Sequence, residues 1–212
     1  MRKQAVLLGL LLLTACGGQD QAPMTPQPTG KTLVYECGDY EFVVRTGPGE
    51  VALYLPEDYR VLGQVRSASG AKYTDAEVTF WSKGETALLD LGSRRYVDCQ
   101  LNRSRGPWEE ARRRGVNFRA VGQEPGWFLE IQHERNLLLV ADYGSRRLLA
   151  AAPEPVFEDD IERYQVPSED LEIEIRQTHC ADSMSGESFT HEVKVTLSGR
   201  VYTGCGLSLE PR

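Results

Sequence analysis

The sequence predicts an all-β protein of two small antiparallel units, and three observations carry that expectation. Short runs rich in Val, Tyr and Phe recur along the chain, separated by tight turn signals. Several runs alternate apolar with polar residues, as strands with one buried face do, most clearly Leu171-Glu-Ile-Glu-Ile-Arg176 and His191-Glu-Val-Lys-Val-Thr-Leu197. No helical pattern is long enough to cover a sheet face, so the apolar faces must cover one another.

In the first unit the runs fall at residues 32–37, 40–45, 51–55 and 59–62, then at 72–74, 77–81, 85–90 and 95–101. Gly38-Asp39, Gly47-Pro-Gly49 and Pro56-Glu-Asp58 punctuate the first four. Short strands joined by tight turns fit a small closed barrel or a sandwich, and closure would remove exposed edges. A break follows at residues 102–115, a polar stretch with five arginines and a Gly-Pro turn signal, which is expected to be an Arg-rich linker. Within it, residues 107–114 predict one short helix, because Glu109 and Glu110 suit its first turns and Arg112, Arg113 and Arg114 its last. The second unit, residues 116–212, repeats the style. Runs at 116–121, 127–132 and 136–142 are followed by the two alternating strands above and by Val201-Tyr-Thr203.

The amino terminus predicts export. Arg2 and Lys3 precede an apolar run at residues 5–13, too short to span a bilayer but right for the hydrophobic part of a signal. Its end, Leu13-Thr-Ala-Cys16, resembles the bacterial lipoprotein cleavage site, which implies a signal peptide at residues 1–15 and a lipid on Cys16. Gly17 and Gly18 follow, with no aspartate of the kind that resembles inner-membrane retention, so attachment to the outer membrane facing the periplasm is expected. Residues 16–30 are mostly Gly, Gln, Pro and Thr, can bury nothing, and read as a flexible tether.

Five cysteines less Cys16 leave four, an even number in an oxidising compartment. Three pairings are possible. Local pairing, Cys37 with Cys99 and Cys180 with Cys205, is the simplest, since each pair brackets one unit. The spacing has no close Cys-x-x-Cys, so neither zinc nor thiol-redox chemistry is expected.

The first unit also carries a family resemblance. Cys37, Ser67-Ala-Ser-Gly-Ala-Lys-Tyr73, Phe80-Trp-Ser-Lys-Gly-Glu-Thr-Ala87 and Tyr96-Val-Asp-Cys99 occur in the order of the MliC family, membrane-bound lipoprotein inhibitors of c-type lysozyme, and residues 31–101 resemble it. The resemblance implies an eight-stranded antiparallel barrel tied by a disulfide, with two projecting loops that enter the lysozyme cleft. It implies lysozyme contacts at Ser69, Tyr73 and Lys83. The chemistry of those residue types agrees. A muramidase cleft holds two carboxyl groups around the scissile sugar bond; the Lys83 ammonium suits the ionised one and the Ser69 hydroxyl suits either. Gly70 and Gly84 allow bends tight enough to set those side chains at an apex. Trp81 is expected to be core or rim support and Tyr73 a wall of the projecting turn.

Charge suits a basic partner. Residues 30–102 hold eleven Asp/Glu against eight Lys/Arg, and loss of Arg2 and Lys3 with the signal takes the formal net charge from −7 to −9. An acidic surface speeds encounter with a basic protein and disfavours nucleic acid.

The second unit is less informative. Asn117-Phe-Arg-Ala-Val-Gly-Gln-Glu-Pro-Gly-Trp-Phe128 and His179-Cys-Ala-Asp-Ser-Met-Ser-Gly-Glu-Ser-Phe189 resemble an uncharacterised family of bacterial envelope lipoprotein domains, which implies no activity. His179, Asp182, Ser183 and Ser185, with His191 and Glu192 near them, contain the residue types of a nucleophilic site. They lack a Gly-x-Ser-x-Gly elbow and are too closely spaced to converge readily. Metal binding by His133, His179 and His191 and a sugar platform at Glu124 and Trp127 are weaker still. The leading expectation is therefore a lysozyme inhibitor that is not an enzyme and needs no cofactor or metal. A binding or assembly module acting through the second unit is the alternative, and a cell-wall hydrolase the third.

Overall fold

The computed structural model describes residues 30–209; the signal segment, Cys16 and the tether up to residue 29 lie outside the described residues. Eight strands form the first lobe: β1 (Thr32–Cys37), β2 (Tyr40–Gly47), β3 (Glu50–Tyr54), β4 (Tyr59–Val65), β5 (Ala71–Thr74), β6 (Thr79–Lys83), β7 (Thr86–Asp90) and β8 (Arg95–Asn102). Each pairs antiparallel with the next, and β8 returns to β1 through Val34 opposite Asn102 and Glu36 opposite Gln100, so the sheet closes into a barrel. The choice between barrel and sandwich is thereby settled.

Alternation explains what fills it. Tyr35, Phe42, Val44, Val51, Leu53, Leu62, Phe80 and Leu89 point inward and are buried together. The Tyr35 ring stacks on Phe42 at 5.6 Å and meets Phe80 edge-on at 5.5 Å, offset geometries that suit aromatic quadrupoles. Cys37 and Cys99 are bonded across the β1 and β8 seam, with Cα atoms 4.3 Å apart. Replacing both by serine should remove about 2–4 kcal/mol, mainly by freeing the unfolded chain. A denaturant melt reads it: a loss under about 1 kcal/mol would show the staple to be dispensable.

A helix, α1 (Gly106–Arg113), follows β8. It is a packed wedge as well as a connection. Val34 and Val43 lie on the outer face of the barrel by strand parity, and both are nonetheless buried. On that wall Glu110 accepts from Arg45 at 2.7 Å and from the Thr32 hydroxyl at 2.5 Å. Burial alone would raise the Glu110 carboxyl, but the Thr32 hydrogen bond and the Arg45 and Arg113 charges outweigh it and hold the pKa below its ordinary value. Asn102 reaches Glu36 at 2.7 Å and Arg105 reaches Glu41 at 3.3 Å, completing a polar seam. From its other side the helix buries Trp108 and Ala111 against Val116, Phe189, Cys205 and Leu209 of the second lobe.

That lobe comprises β9 (Phe118–Gln123), β10 (Gly126–Gln132), β11 (Asn136–Ala141), β12 (Arg146–Ala151), β13 (Val156–Glu158), β14 (Ile161–Val166), β15 (Leu171–Arg176), β16 (Cys180–Ala181), β17 (Ser188–Phe189), β18 (His191–Leu197) and β19 (Arg200–Ser208). Nine of these form one antiparallel sheet in the order β12-β11-β10-β9-β19-β18-β15-β14-β13, while β16 and β17 pair separately. Leu129, Ile131, Leu137 and Leu139 from one half share a core with Ile173, Ile175, Val193 and Val195 from the other. A flat sheet would hold those halves apart; it curls over its own apolar face. Cys180 and Cys205 are bonded, fastening the β16–β17 loop to β19.

Candidate functional site

Strand direction decides which loops share an end of the barrel. With eight strands alternating in direction, the β2–β3, β4–β5 and β6–β7 connections all emerge at one mouth. Ser69 lies in the β4–β5 loop, and Lys83 is the last residue of β6. The pairing of Ala71 with Ser82 brings the two together across adjacent strands. Contact is close: a Cβ built on Gly70 would lie 2.2 Å from the Ser82 carbonyl oxygen and 3.3 Å from the Lys83 Cβ. Both Ser69 and Lys83 are exposed.

Local chemistry shapes both bends. Gly70 has φ +68° and Gly84 has φ +64°, left-handed values that a Cβ disfavours, and Gly70 also has no room for one. The Ser67 hydroxyl donates to the Gly70 carbonyl at 2.9 Å, closing the loop on itself. Trp81 Nε1 donates to the Ser69 carbonyl at 2.8 Å, tying the loop to β6. Across the second bend the Thr86 hydroxyl donates to the Lys83 carbonyl at 3.1 Å, and Arg103 meets Glu85 at 2.8 Å. The surface ion pair contributes little energy. Its role is to orient the turn.

Tyr73 does not join these exposed groups. It is 9% exposed, packs in the barrel core and stacks on Phe80 at 6.2 Å, so its ring supports the base of the loop from within. The ring expected to form a wall of the projecting turn therefore lies beneath it, on the inner face. Strand parity is the reason, since Tyr73 and Phe80 are cross-strand partners on the inner face. Trp81 is outside instead of in the core, 36% exposed, with the Lys72 ammonium 5.9 Å from its ring centroid. Adjacent strand residues face opposite sides. One of Phe80 and Trp81 had to be outside, so that signal was present in the motif.

Helix α1 docks on the β1–β2 wall, whereas β5 and β6 stand on the far side of the barrel; β8, which leads into α1, ends at the same mouth as the two bends.

Several residues singled out in the second lobe make structural contacts. Asp182, 7% exposed, accepts from the Met184 and Ser185 backbone amides at 3.1 and 2.7 Å, from the Ser185 hydroxyl at 2.9 Å and from Gln123 at 3.2 Å. It caps a turn. His191 meets Thr190 at 2.8 Å and Phe118 edge-on, and among the described residues no hydrogen bond joins Ser183 or Ser185 to a histidine. Trp127 is buried and donates to the Thr203 carbonyl at 3.1 Å, while Glu124 is exposed beside it in sequence. No group of His, Cys, Asp or Glu among the described residues is arranged to hold a metal ion.

Sequence comparison finds relatives over the first lobe. The family model described as membrane-bound lysozyme-inhibitor of c-type lysozyme matches residues 35–98, which include Ser69 and Lys83. A Yersinia enterocolitica protein named membrane-bound lysozyme inhibitor of C-type lysozyme is 39% identical over 95 residues, 43% of this chain and 75% of that protein. Its namesake in Escherichia coli K12 is 32% identical over 104 residues, 48% of this chain and 94% of that protein. No solved structure matches the chain at a significant level. With nearly the whole of one relative and three quarters of the other spanned at these identities, the chain belongs to the MliC family.

Proposed function

We propose that this protein is a membrane-associated periplasmic inhibitor of c-type lysozyme, anchored to the outer membrane by a lipid on Cys16, that occludes the enzyme's cleft with the Ser69 loop and the Lys83 bend. The observation that carries the reading is the side-by-side placement of these two exposed residues at one mouth of a closed barrel. A cleft that cuts a glycan presents one protonated and one ionised carboxyl group. The Lys83 ammonium pairs with the ionised group as the cleft loses water. The Ser69 hydroxyl bonds to its neighbour and offers no bond to cleave. The acidic first lobe, and the net charge of −7 for the whole chain, favour encounter with a basic enzyme. Membership of a family of inhibitors supports an inhibitor that carries out no reaction of its own.

The direct test is lysis of bacterial cell walls by a c-type lysozyme with and without the lipid-free chain from residue 17 onward. Stoichiometric suppression supports the reading, and unchanged lysis ends it. A subtler check uses two glycines with the same φ of +68°, Gly38 and Gly70. Alanine at either should cost roughly 1 kcal/mol of stability from the left-handed backbone, and at Gly70 more, because a Cβ there meets the Ser82 carbonyl. Only Gly70→Ala should also weaken inhibition, by at least about tenfold, because a Cβ there drives the Ser69 loop off Ser82. Gly38 lies at the opposite mouth, where a Cβ meets nothing. Equal inhibition by the two variants would count against the loop as the contact.

A further inference from the structure

We infer that Trp81 is the positioning residue of this site: its indole N–H sets the spacing between Ser69 and Lys83, and so fixes the pair in the geometry that a glycosidase cleft accepts. The inference rests on the reading of the loops as the lysozyme contact.

Trp81 connects to both functional side chains by different means. Along β6, residues 81 and 83 share the outer face by alternation, while Phe80 enters the core and Ser82 faces inward. Lys83 is therefore placed by the same strand that carries Trp81. Across to the neighbouring loop, Nε1 donates to the Ser69 carbonyl at 2.8 Å, holding the residue itself and not merely its surroundings. The β4–β5 loop has two further fastenings, the Ser67 to Gly70 bond and the close seat of Gly70 on Ser82. The first is internal to the loop and the second acts one residue away. The indole bond reaches Ser69 from outside.

The ring is itself held. Lys72, its cross-strand partner on β5, stands with Nζ 5.9 Å from the ring centroid, within cation–π range, and Leu88 of β7 is its partner on the other side. An indole with the Lys72 ammonium near its face and its N–H on Ser69 loses little further rotamer entropy on binding. Preorganisation of that kind raises affinity by lowering the ordering cost. A phenyl ring would keep an aromatic face toward Lys72 and remove the donor.

The test is a double-mutant cycle of Trp81→Phe and Ser69→Ala in the lipid-free protein, read by inhibition of lysozyme and by thermal melting. A hydrogen bond of ordinary net strength predicts that Trp81→Phe binds roughly fivefold more weakly while melting only a few degrees lower. In the Ser69→Ala background the same change should have no further effect, within about twofold, because the indole acts through Ser69. An equal loss in both backgrounds overturns the positioning role. If the parent inhibits and Trp81→Phe inhibits as well as the parent, the role of Trp81 falls alone. If the parent leaves lysis unchanged, the inhibitor reading falls and this inference with it.

Discussion

Replacing Lys83 and Ser69 together by alanine is expected to abolish useful inhibition of lysozyme while leaving the fold intact. A charge-assisted contact that is desolvated on binding typically costs about 2–5 kcal/mol when one partner is truncated, here chiefly because the enzyme's carboxylate is left buried without its counterion. In affinity this is roughly a 30-fold to several-thousand-fold loss. Lys83→Ala should account for most of it, and Ser69→Ala for about 1 kcal/mol, as a single neutral hydrogen bond does. Neither side chain is buried in the barrel, so melting temperatures should barely move. Tyr73→Phe supplies the contrast. Its ring stays stacked on Phe80, and inhibition should stay near the parental value. Titrations of lysozyme activity at low and moderate salt decide the matter. A double variant that inhibits within about threefold of the parent would remove Ser69 and Lys83 from the mechanism even though the family assignment stands.

Glu130→Ala is expected to be the most damaging single change to the second lobe. Glu130 is 3% exposed and takes both oxygens to Arg114 at 2.8 Å, while a second ion pair joins it to Arg119, itself 7% exposed. Arg119 lies between Trp108 and Phe128, with its guanidinium 5.5 and 4.7 Å from their centroids. Burial lowers its pKa from the ordinary value, and the Glu130 charge opposes that. Removal of the carboxylate leaves a buried cation uncompensated, which typically costs about 3–5 kcal/mol. The same carboxylate joins β10 to Arg114 at the end of α1, so the wedge between the lobes should loosen with it. Chemical denaturation measures the loss. A double variant, Glu130→Ala with Arg119→Met, should recover much of it by removing the stranded charge as well. If Glu130→Ala alone shifts stability by less than about 1 kcal/mol, the network is ornamental and the lobes are joined by apolar packing.

The Arg114–Glu130–Arg119 network was not legible in the amino-acid pattern. Arg112, Arg113 and Arg114 suited only the last turn of a short helix, and nothing local marked Arg119 for burial. Both Arg119 and Arg114 meet a carboxylate 11 and 16 residues further on, brought opposite Arg119 by the β9–β10 register. The segments that became β12 and β14 were missed for related reasons. Arg146-Arg-Leu-Leu-Ala-Ala151 lacks clean alternation because β12 is an edge strand, with Leu149 left exposed. In Ile161-Glu-Arg-Tyr-Gln-Val166 the buried residues are Tyr164 and Val166, so Glu162 shares their parity and its carboxylate receives the Tyr164 hydroxyl at 2.5 Å. Ile161 suggests the opposite phase. Only pairing with β15 selects between them.

The sequence by itself determined the number and order of strands in the first lobe, the short helix after it, and the two bends that carry Ser69 and Lys83. All are local: β-rich runs, Gly-containing turns and a charge-graded helix are specified within a few residues. The strand pattern left barrel and sandwich open while the family resemblance implied the barrel; tertiary structure closed the first sheet as expected and alone decided that the second curls over its own face. It also decided that Tyr73 faces inward while Trp81 faces out. The reason is that strand residues alternate between two faces, and which face becomes the interior is set by pairing between segments far apart in the chain, where no local pattern can choose.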